Sequence, residues 1–330
     1  MFRTLRPYFI SLFCVWVTLC VAAFVIAQKS PYSHWIMTGV LPAFLVEAVF
    51  FVGAGFEQTR QAFARVKPPA LQSAILLASA VIPNAIVTMT AGTFDSHGFL
   101  ILLGLCAVVS FWYVVLPRRI AYDVGLLVIL AAAMVLHVFP RLYVSPSANL
   151  HIEILGHLMW IRLALVVLLV QRDLDMGPVS FWPNRAEWRE GLLQYALAIV
   201  PISLLACGVH FVRFAPRQFP AWEWTALAAG YFLGALWVVA FSEELFFRGV
   251  ILRGILNWRG SAVLAVIVST VVYGCAHLWY HDFPNWRFAL IAAVVGCFYG
   301  AAYLRRGSIR APMVAHALVV VTWRMLFVTS

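Results

Sequence analysis

The sequence is short of charge. Only 11% of its 330 residues are Asp, Glu, Lys or Arg, while 64% are hydrophobic. Soluble domains usually carry about a quarter charged residues and about half apolar ones. A water-soluble globule is therefore excluded, and so are a disordered chain and a coiled coil. Lysine is nearly missing: it occurs only at Lys29 and Lys67, so the formal charge of +10 rests almost wholly on arginine. The arginines cluster in short tethers between apolar runs, which points to membrane topology and away from a nucleic-acid surface. No two cysteines are spaced CxxC, and Cys14, Cys20, Cys106, Cys207, Cys275 and Cys297 all sit inside apolar runs. A disulfide scaffold is thereby excluded, and the cysteines read as packing residues. Short alternating segments, the mark of a transmembrane barrel, are also missing. No cleavable signal peptide is evident, because the apolar stretch from Tyr8 to Ala27 is too long for one and reads as a first span.

What the sequence does have is long apolar runs. A span needs about 20 apolar residues. The sequence thus predicts an all-α, polytopic transmembrane helical bundle of about eleven spans, near 8–28, 36–56, 71–92, 97–117, 120–139, 151–170, 190–212, 224–256, 261–280, 286–304 and 311–329. Arg3/Arg6, Arg60/Arg65/Lys67, Arg118/Arg119, Arg172/Arg185/Arg189, Arg253/Arg259 and Arg305/Arg306/Arg310 fall on alternate connections. The positive-inside rule puts these on the cytoplasmic side, and the N-terminus with them. The longest polar stretch, Gln171 to Glu190, marks a boundary. Residues 1–170 are expected to form an N-terminal bundle of about six spans, accessory or substrate-guiding. Residues 171–187 form a cytoplasmic linker, and residues 188–330 the working domain.

Ionisable residues inside a bilayer are expensive and by default functional. The densest group is Ser242-Glu243-Glu244-Leu245-Phe246-Phe247-Arg248-Gly249, embedded in apolar sequence. On a helix Glu244 and Arg248 are four residues apart and share a face, whereas Glu243 is rotated by about 100° and lacks that partner. The bland reading is that both carboxylates neutralise Arg248. One would suffice for that, and two in hydrocarbon cost several kcal/mol.

Next comes Tyr273-Gly274-Cys275-Ala276-His277. A lone histidine near a helix end is ordinarily a packing or interfacial residue. Here, however, Glu243 lies 17 positions before Gly260 and His277 lies 17 after it. In an antiparallel pair both sit roughly 25 Å from the turn, so Glu243 or Glu244 can face His277. A third element runs from Gly296-xxx-Gly300 through Arg305 to His316. The glycine pair permits close helix approach, as does Gly230-xxx-Gly234. Pro312 suits the first turn of the last helix, which places His316 within reach of the same depth.

Two carboxylates and two imidazoles at membrane depth suggest hydrolysis. A carboxylate in apolar surroundings can accept a proton from water near neutral pH, and a neighbouring histidine can orient that water. A second donor can stabilise the oxyanion. Ser242 and Cys275 are adjacent, yet neither has a legible base–orienter chain.

The set resembles the CAAX protease and bacteriocin-processing family of intramembrane glutamic endopeptidases. Its motif EExxxR is matched by Glu243, Glu244 and Arg248, and FxxxH by Tyr273 and His277, with tyrosine for phenylalanine. The G-S-I-x-A-P-M-like turn is present at Gly307 to Met313, followed by His316; four residues on, the family's asparagine is Val320. The resemblance spans roughly residues 188–330. It implies that Glu243 and His277 activate water, that Glu244 and Arg248 support them, and that His316 helps form the oxyanion hole. Tyr273 becomes a substrate-binding position. It also implies no metal cofactor, no nucleic-acid partner, a membrane-protein or lipidated-peptide substrate, and residence as a multi-pass protein in a bacterial cytoplasmic membrane. A lost oxyanion donor costs about 2.7–4 kcal/mol; His316 alone, a backbone donor or Tyr273 is available in place of the missing amide.

Three alternatives stay open. A zinc-dependent membrane protease would use His277, His316 and a glutamate, with His277-xxx-His281 at helical ligand spacing, although no HExxH is present. An ion- or proton-coupled transporter would use Glu47, inside the second span, as a relay; the counter-reading keeps Glu47 neutral or paired with another helix. An inactive family member, acting as an assembly or immunity factor, is suggested by Val320.

Overall fold

The computed structural model describes residues 2–147, 150–280 and 283–329; His281, invoked above for metal ligation, lies outside them. The chain divides into two compact units, 1–174 and 175–330, and the division falls within the polar stretch that starts at Gln171.

The first unit is built from α1 (Phe2–Gln28), α2 (Ser33–Ala54), α3 (Pro69–Ala91), α4 (Ser96–Ser110), α5 (Ile120–Val135) and α6 (Glu153–Gln171). Local chemistry sets their ends. Pro69 opens α3, where its missing N–H is harmless, and Gly92 closes it in the left-handed conformation at φ 68°. Asp95 caps α4 by accepting from the N–H groups of His97 and Gly98.

The middle of this unit holds a buried ion pair. Arg162 of α6 donates to both carboxylate oxygens of Glu47 on α2 at 2.9 and 3.0 Å, and to Ser79 Oγ on α3 at 2.8 Å. Glu47 is thus tied to two neighbouring helices by a bidentate pairing. Its partner, Arg162, was not singled out from sequence.

The second unit contains α7 (Arg185–Gly208), β1 (Val212–Phe214), α8 (Ala221–Arg259), α9 (Ala262–Ala276), α10 (Trp286–Arg306), α11 (Arg310–Leu326) and β2 (Phe327–Thr329). β1 and β2 pair antiparallel, with Val212 opposite Thr329 and Phe214 opposite Phe327. A capping box opens α7: Asn184 accepts from the N–H of Ala186 and Glu187, and Glu187 accepts from the N–H of Asn184 at 2.7 Å. The other Glu187 oxygen takes Arg310 at 2.7 Å, so one carboxylate both closes α7 and anchors the start of α11. One turn on, a Cβ at Gly191 would lie 2.5 Å from Val314 Cβ and 2.7 Å from the Ala311 carbonyl. Only glycine lets the two backbones come this close, and this contact sets the height of α11.

Among the described residues, eight helices are long and apolar enough to cross a membrane: α1, α2, α3, α6, α7, α8, α9 with its extension to Trp279, and α10. The other three segments expected to span are shorter. α4 has 15 residues, α5 has 16 and α11 has 17. The expected span 97–117 breaks at Phe111, and 120–139 ends at Val135, just before His137 turns left-handed at φ 51°. The expected span 311–329 gives up its last residues to β2.

At the start of the second unit, Asp175 accepts from Arg253 of α8 at 2.5 Å and from the Gly177 N–H at 3.0 Å. These donors hold its carboxyl below the usual carboxylate range, so the anchorage is present at neutral pH and is lost as pH falls through that lowered value.

Two outcomes follow from the packing. Arg162→Met strands a buried carboxylate and is expected to cost about 3–5 kcal/mol, most of it recovered in the Glu47→Gln/Arg162→Met double variant; thermal unfolding of the full chain in detergent measures both. Gly191→Leu forces α7 and α11 apart and is expected to lower stability by about 1–3 kcal/mol in the same assay.

Candidate active site

α8 carries Glu243, Glu244 and Arg248. It is not uniformly α-helical: its turns widen to π geometry over Ala235–Ala240 and again over Leu245–Leu252, on either side of Phe241–Glu244. Widened turns give up regular backbone hydrogen bonding and recur at functional sites.

Glu244 is fully buried and faces Arg248, with Oε2 3.2 Å from Nε and Oε1 3.3 Å from Nη1. Arg248 is buried too. It donates to the Gly296 carbonyl of α10 at 3.0 Å, and its guanidinium lies 4.6 Å from the ring centre of Tyr273 and 5.3 Å from that of Tyr299. A Cβ at Gly296 would stand 3.3 Å from Arg248 Nη2 and 3.1 Å from the Tyr273 ring, and one at Gly300 would stand 3.2 Å from Val266. Close approach at this glycine pair is therefore real. The second pair is a correction: nothing lies within 4 Å of a Cβ at Gly230 or Gly234. Those two glycines make no close helix contact.

The two imidazoles approach from different helices. His316 of α11 places Nδ1 2.9 Å from Glu244 Oε1, and its ring stacks on Tyr299 at 4.9 Å and 13°. His277, just past the end of α9, places Nδ1 2.8 Å from the Tyr273 carbonyl. A carbonyl only accepts, so Nδ1 of His277 carries the proton and Nε2 offers its lone pair. By the same assignment the Glu244 carboxylate accepts from Nδ1–H of His316. Both Nε2 atoms then face one atom, Glu243 Oε2, at 4.0 Å from His277 and 3.8 Å from His316. That oxygen is buried and has no direct hydrogen-bond partner.

These separations have chemical content. One water with arms of about 2.8 Å meeting near a right angle spans about 4 Å. A zinc ion with arms of about 2.1 Å would need the angles opened to about 130–145°, far from tetrahedral. Among the described residues no group of three or more His, Cys, Asp or Glu is arranged to hold a metal ion.

The carboxylate and both imidazoles sit in the wall of a cavity of about 410 Å³, where apolar residues such as Ile202, Val295, Val319 and Trp323 also line it. All six residues expected to form the site, Glu243, Glu244, Arg248, Tyr273, His277 and His316, come together. The division of labour between the glutamates is sharper than sequence allowed: Glu243 faces His277, while Glu244 holds His316 as well as Arg248. Val320 lines the cavity one turn beyond His316 and puts an aliphatic group there. Ser242 donates to the Val239 carbonyl, and Cys275 does not line the cavity. Arg324, two turns beyond His316 on α11, lines it as well. Tyr299 is the residue that sequence reasoning missed. Its signal was faint: it lies three residues after Gly296, on the same face of α10.

Residues 225–322 match a family model, Rce1-like, described as type II CAAX prenyl endopeptidase Rce1-like. This C-terminal segment, under a third of the chain, is similar to that family. No curated protein and no solved structure matches the chain. The Rce1-like segment contains α8 from its second turn, all of α9 and α10, and α11 through His316 and Val320, and so every residue of the cluster. Together with the eight apolar helices, it makes the chain an integral, multi-pass membrane protein.

Gly296→Val drives a side chain into Arg248 and Tyr273 and is expected to cost about 1–3 kcal/mol of stability, whereas Gly230→Ala is expected to cost nothing; thermal unfolding of the two variants side by side is the check.

Proposed function

We propose that the protein is an intramembrane endopeptidase that hydrolyses a peptide bond of a membrane-anchored or lipidated protein with a water activated by Glu243. The observation that carries this is the convergence of two imidazole nitrogens on one unpartnered carboxylate oxygen inside an apolar cavity. A water held there gives a proton to Glu243 while His277 Nε2 accepts its second hydrogen bond. The hydroxide adds to the scissile carbonyl carbon. His316, held by Glu244 through Nδ1–H, stands with Nε2 beside the oxyanion and donates Nε2–H to it when that nitrogen also carries a proton. Collapse of the tetrahedral adduct breaks the C–N bond, and Glu243 returns its proton to the departing amine. No metal is required in this scheme, and Arg248 acts only by holding Glu244. Tyr273 orders the site through its carbonyl and its ring, and its place in the wall suits contact with substrate.

The Rce1-like match and the resemblance of the motifs support this reading, as does the spacing that suits water better than zinc. The arginine-rich ends of the second unit belong on the cytoplasmic side by the positive-inside rule, and the N-terminus with them. Residues 1–170 then serve as an accessory or substrate-guiding bundle, joined by a cytoplasmic linker at 171–187 to a catalytic domain at 188–330.

Glu243→Gln or His277→Ala is expected to lower cleavage by about 10²–10⁴-fold with the thermal unfolding midpoint little changed. The assay compares the membrane proteome of a Glu243→Gln strain with its parent for uncut precursors; cleavage retained in either variant overturns the assignment. Activity is expected to survive phenanthroline, whereas loss that zinc restores would favour the metalloprotease. Val320→Asn returns an amide donor next to His316 and is expected to raise the rate, by up to about 10²-fold.

A further inference from the structure

The two ends of the second unit differ. Arg185 and Arg189 open α7, Arg253 and Arg259 close α8, and Arg305, Arg306 and Arg310 flank the turn from α10 to α11. The opposite end carries only Arg213, Arg217, Arg287 and Arg324. The arginine-rich end is also covered by the chain itself. Residues 175–184 cross it with Met176 and Phe181 buried. Tyr303 donates to the Met176 carbonyl at 3.1 Å, Ser308 to Pro178 at 3.3 Å, Arg310 to Ser180 Oγ at 3.1 Å and Trp237 to Phe181 at 3.1 Å.

The cavity runs the other way. From Glu243 and His316 it extends to the strand pair, where Arg217, Tyr280, Arg324, Val328 and Thr329 line it and are exposed. Arg217 is braced against the end of α11: its Nε donates to the Arg324 carbonyl at 2.8 Å and its N–H to the Met325 carbonyl at 2.9 Å. Among the described residues no carboxylate pairs with Arg217 or Arg324, and Glu243 is the one carboxylate in the cavity wall. The mouth is therefore cationic, and it favours anionic groups by charge complementarity.

We infer that the cavity receives its peptide from the extracytoplasmic face of the membrane, with Arg217 and Arg324 holding an acidic group of that peptide at the mouth. This rests on the peptidase reading for what happens inside the cavity. The face of entry follows separately, from the distribution of arginine and the covered opposite end. The substrates are accordingly proteins whose cleavable segment is exposed outside the cytoplasm next to an apolar stretch.

The test uses the full chain with its native cysteines replaced by alanine. Thr329→Cys is expected to react with a membrane-impermeant maleimide in right-side-out vesicles, and Trp258→Cys, at the arginine-rich end, only in inverted ones. The reverse pattern overturns the inference. Should the cysteine-free chain fail to accumulate, alkaline phosphatase fused after Ser330, active only outside the cytoplasm, decides the same point: an inactive fusion overturns it. For the acidic group, an acetylated apolar tetrapeptide ending in a free carboxylate should shield Thr329→Cys from the maleimide at a concentration about tenfold lower than its carboxamide. Arg324→Gln should erase that difference. Equal shielding by the two peptides, or none by either, overturns the role of the arginines. None of these readouts requires cleavage, so an active Glu243→Gln variant would sink the peptidase while leaving the entry face to be judged by labelling alone.

Discussion

The second unit is organised around the Glu244 carboxylate. Taken out of water, a carboxylate needs donors on each side, and an unpaired one costs several kcal/mol. Arg248 supplies one donor set from the same helix, and His316 supplies another from α11. Neither is free to move. Arg248 is clamped between the Gly296 carbonyl and two tyrosine rings, and His316 lies flat on Tyr299. One buried charge thus fixes α8, α10 and α11 relative to each other. It also fixes the orientation of the His316 ring, which decides which nitrogen faces the cavity.

The rest of the unit serves to deliver these groups at the right height. Glu187 joins the start of α7 to the start of α11, and the missing side chain at Gly191 lets those helices touch, so His316 is set by contacts on neighbouring turns. On the other side, the widened turns of α8 bracket Glu243 and Glu244. Adjacent residues on a regular helix point about 100° apart. Here both carboxylates serve one site, with Glu244 directed into the packing and Glu243 into the cavity. Ser269, donating to the Phe247 carbonyl at 2.8 Å, takes up one backbone acceptor in the second widened turn.

Much of this was legible in advance, for physical reasons. Ionisable residues stand out in a sequence that is otherwise grease, and a tight turn at Gly260 makes residues equidistant from it meet. The distance from Glu243 to His277 is the result. What stayed hidden depends on side-chain direction or on distant partners. Nothing in the spacing says that Glu244 takes His316 while Glu243 takes His277, because widened turns shift both directions. Tyr299 looks like any aromatic on an apolar helix until His316 is laid against it. The ends of the shorter helices were hidden for a related reason. Apolar content is a property of composition, but where a helix stops depends on backbone detail, such as the left-handed His137 or the pairing of β2 with β1.

The two units each bury a glutamate against an arginine, and the difference between them shows what makes a site. In the first unit the guanidinium of Arg162 takes both oxygens of Glu47, and Ser79 completes the arrangement. Every strong donor and acceptor has its partner, so the pair holds helices together and has nothing left with which to do chemistry. In the second unit Arg248 meets Glu244 less squarely, at 3.2 and 3.3 Å, and leaves room for an imidazole on the same carboxylate. Next to it stands a second carboxylate, Glu243, whose Oε2 has no direct partner and looks at two imidazole nitrogens across about 4 Å. Burial and charge are common to both places and so cannot distinguish them. Unused hydrogen-bonding capacity, held in apolar surroundings between two imidazoles, is what the second glutamate pair adds. That capacity arises because three arms converge on a point where the chain offers no fourth.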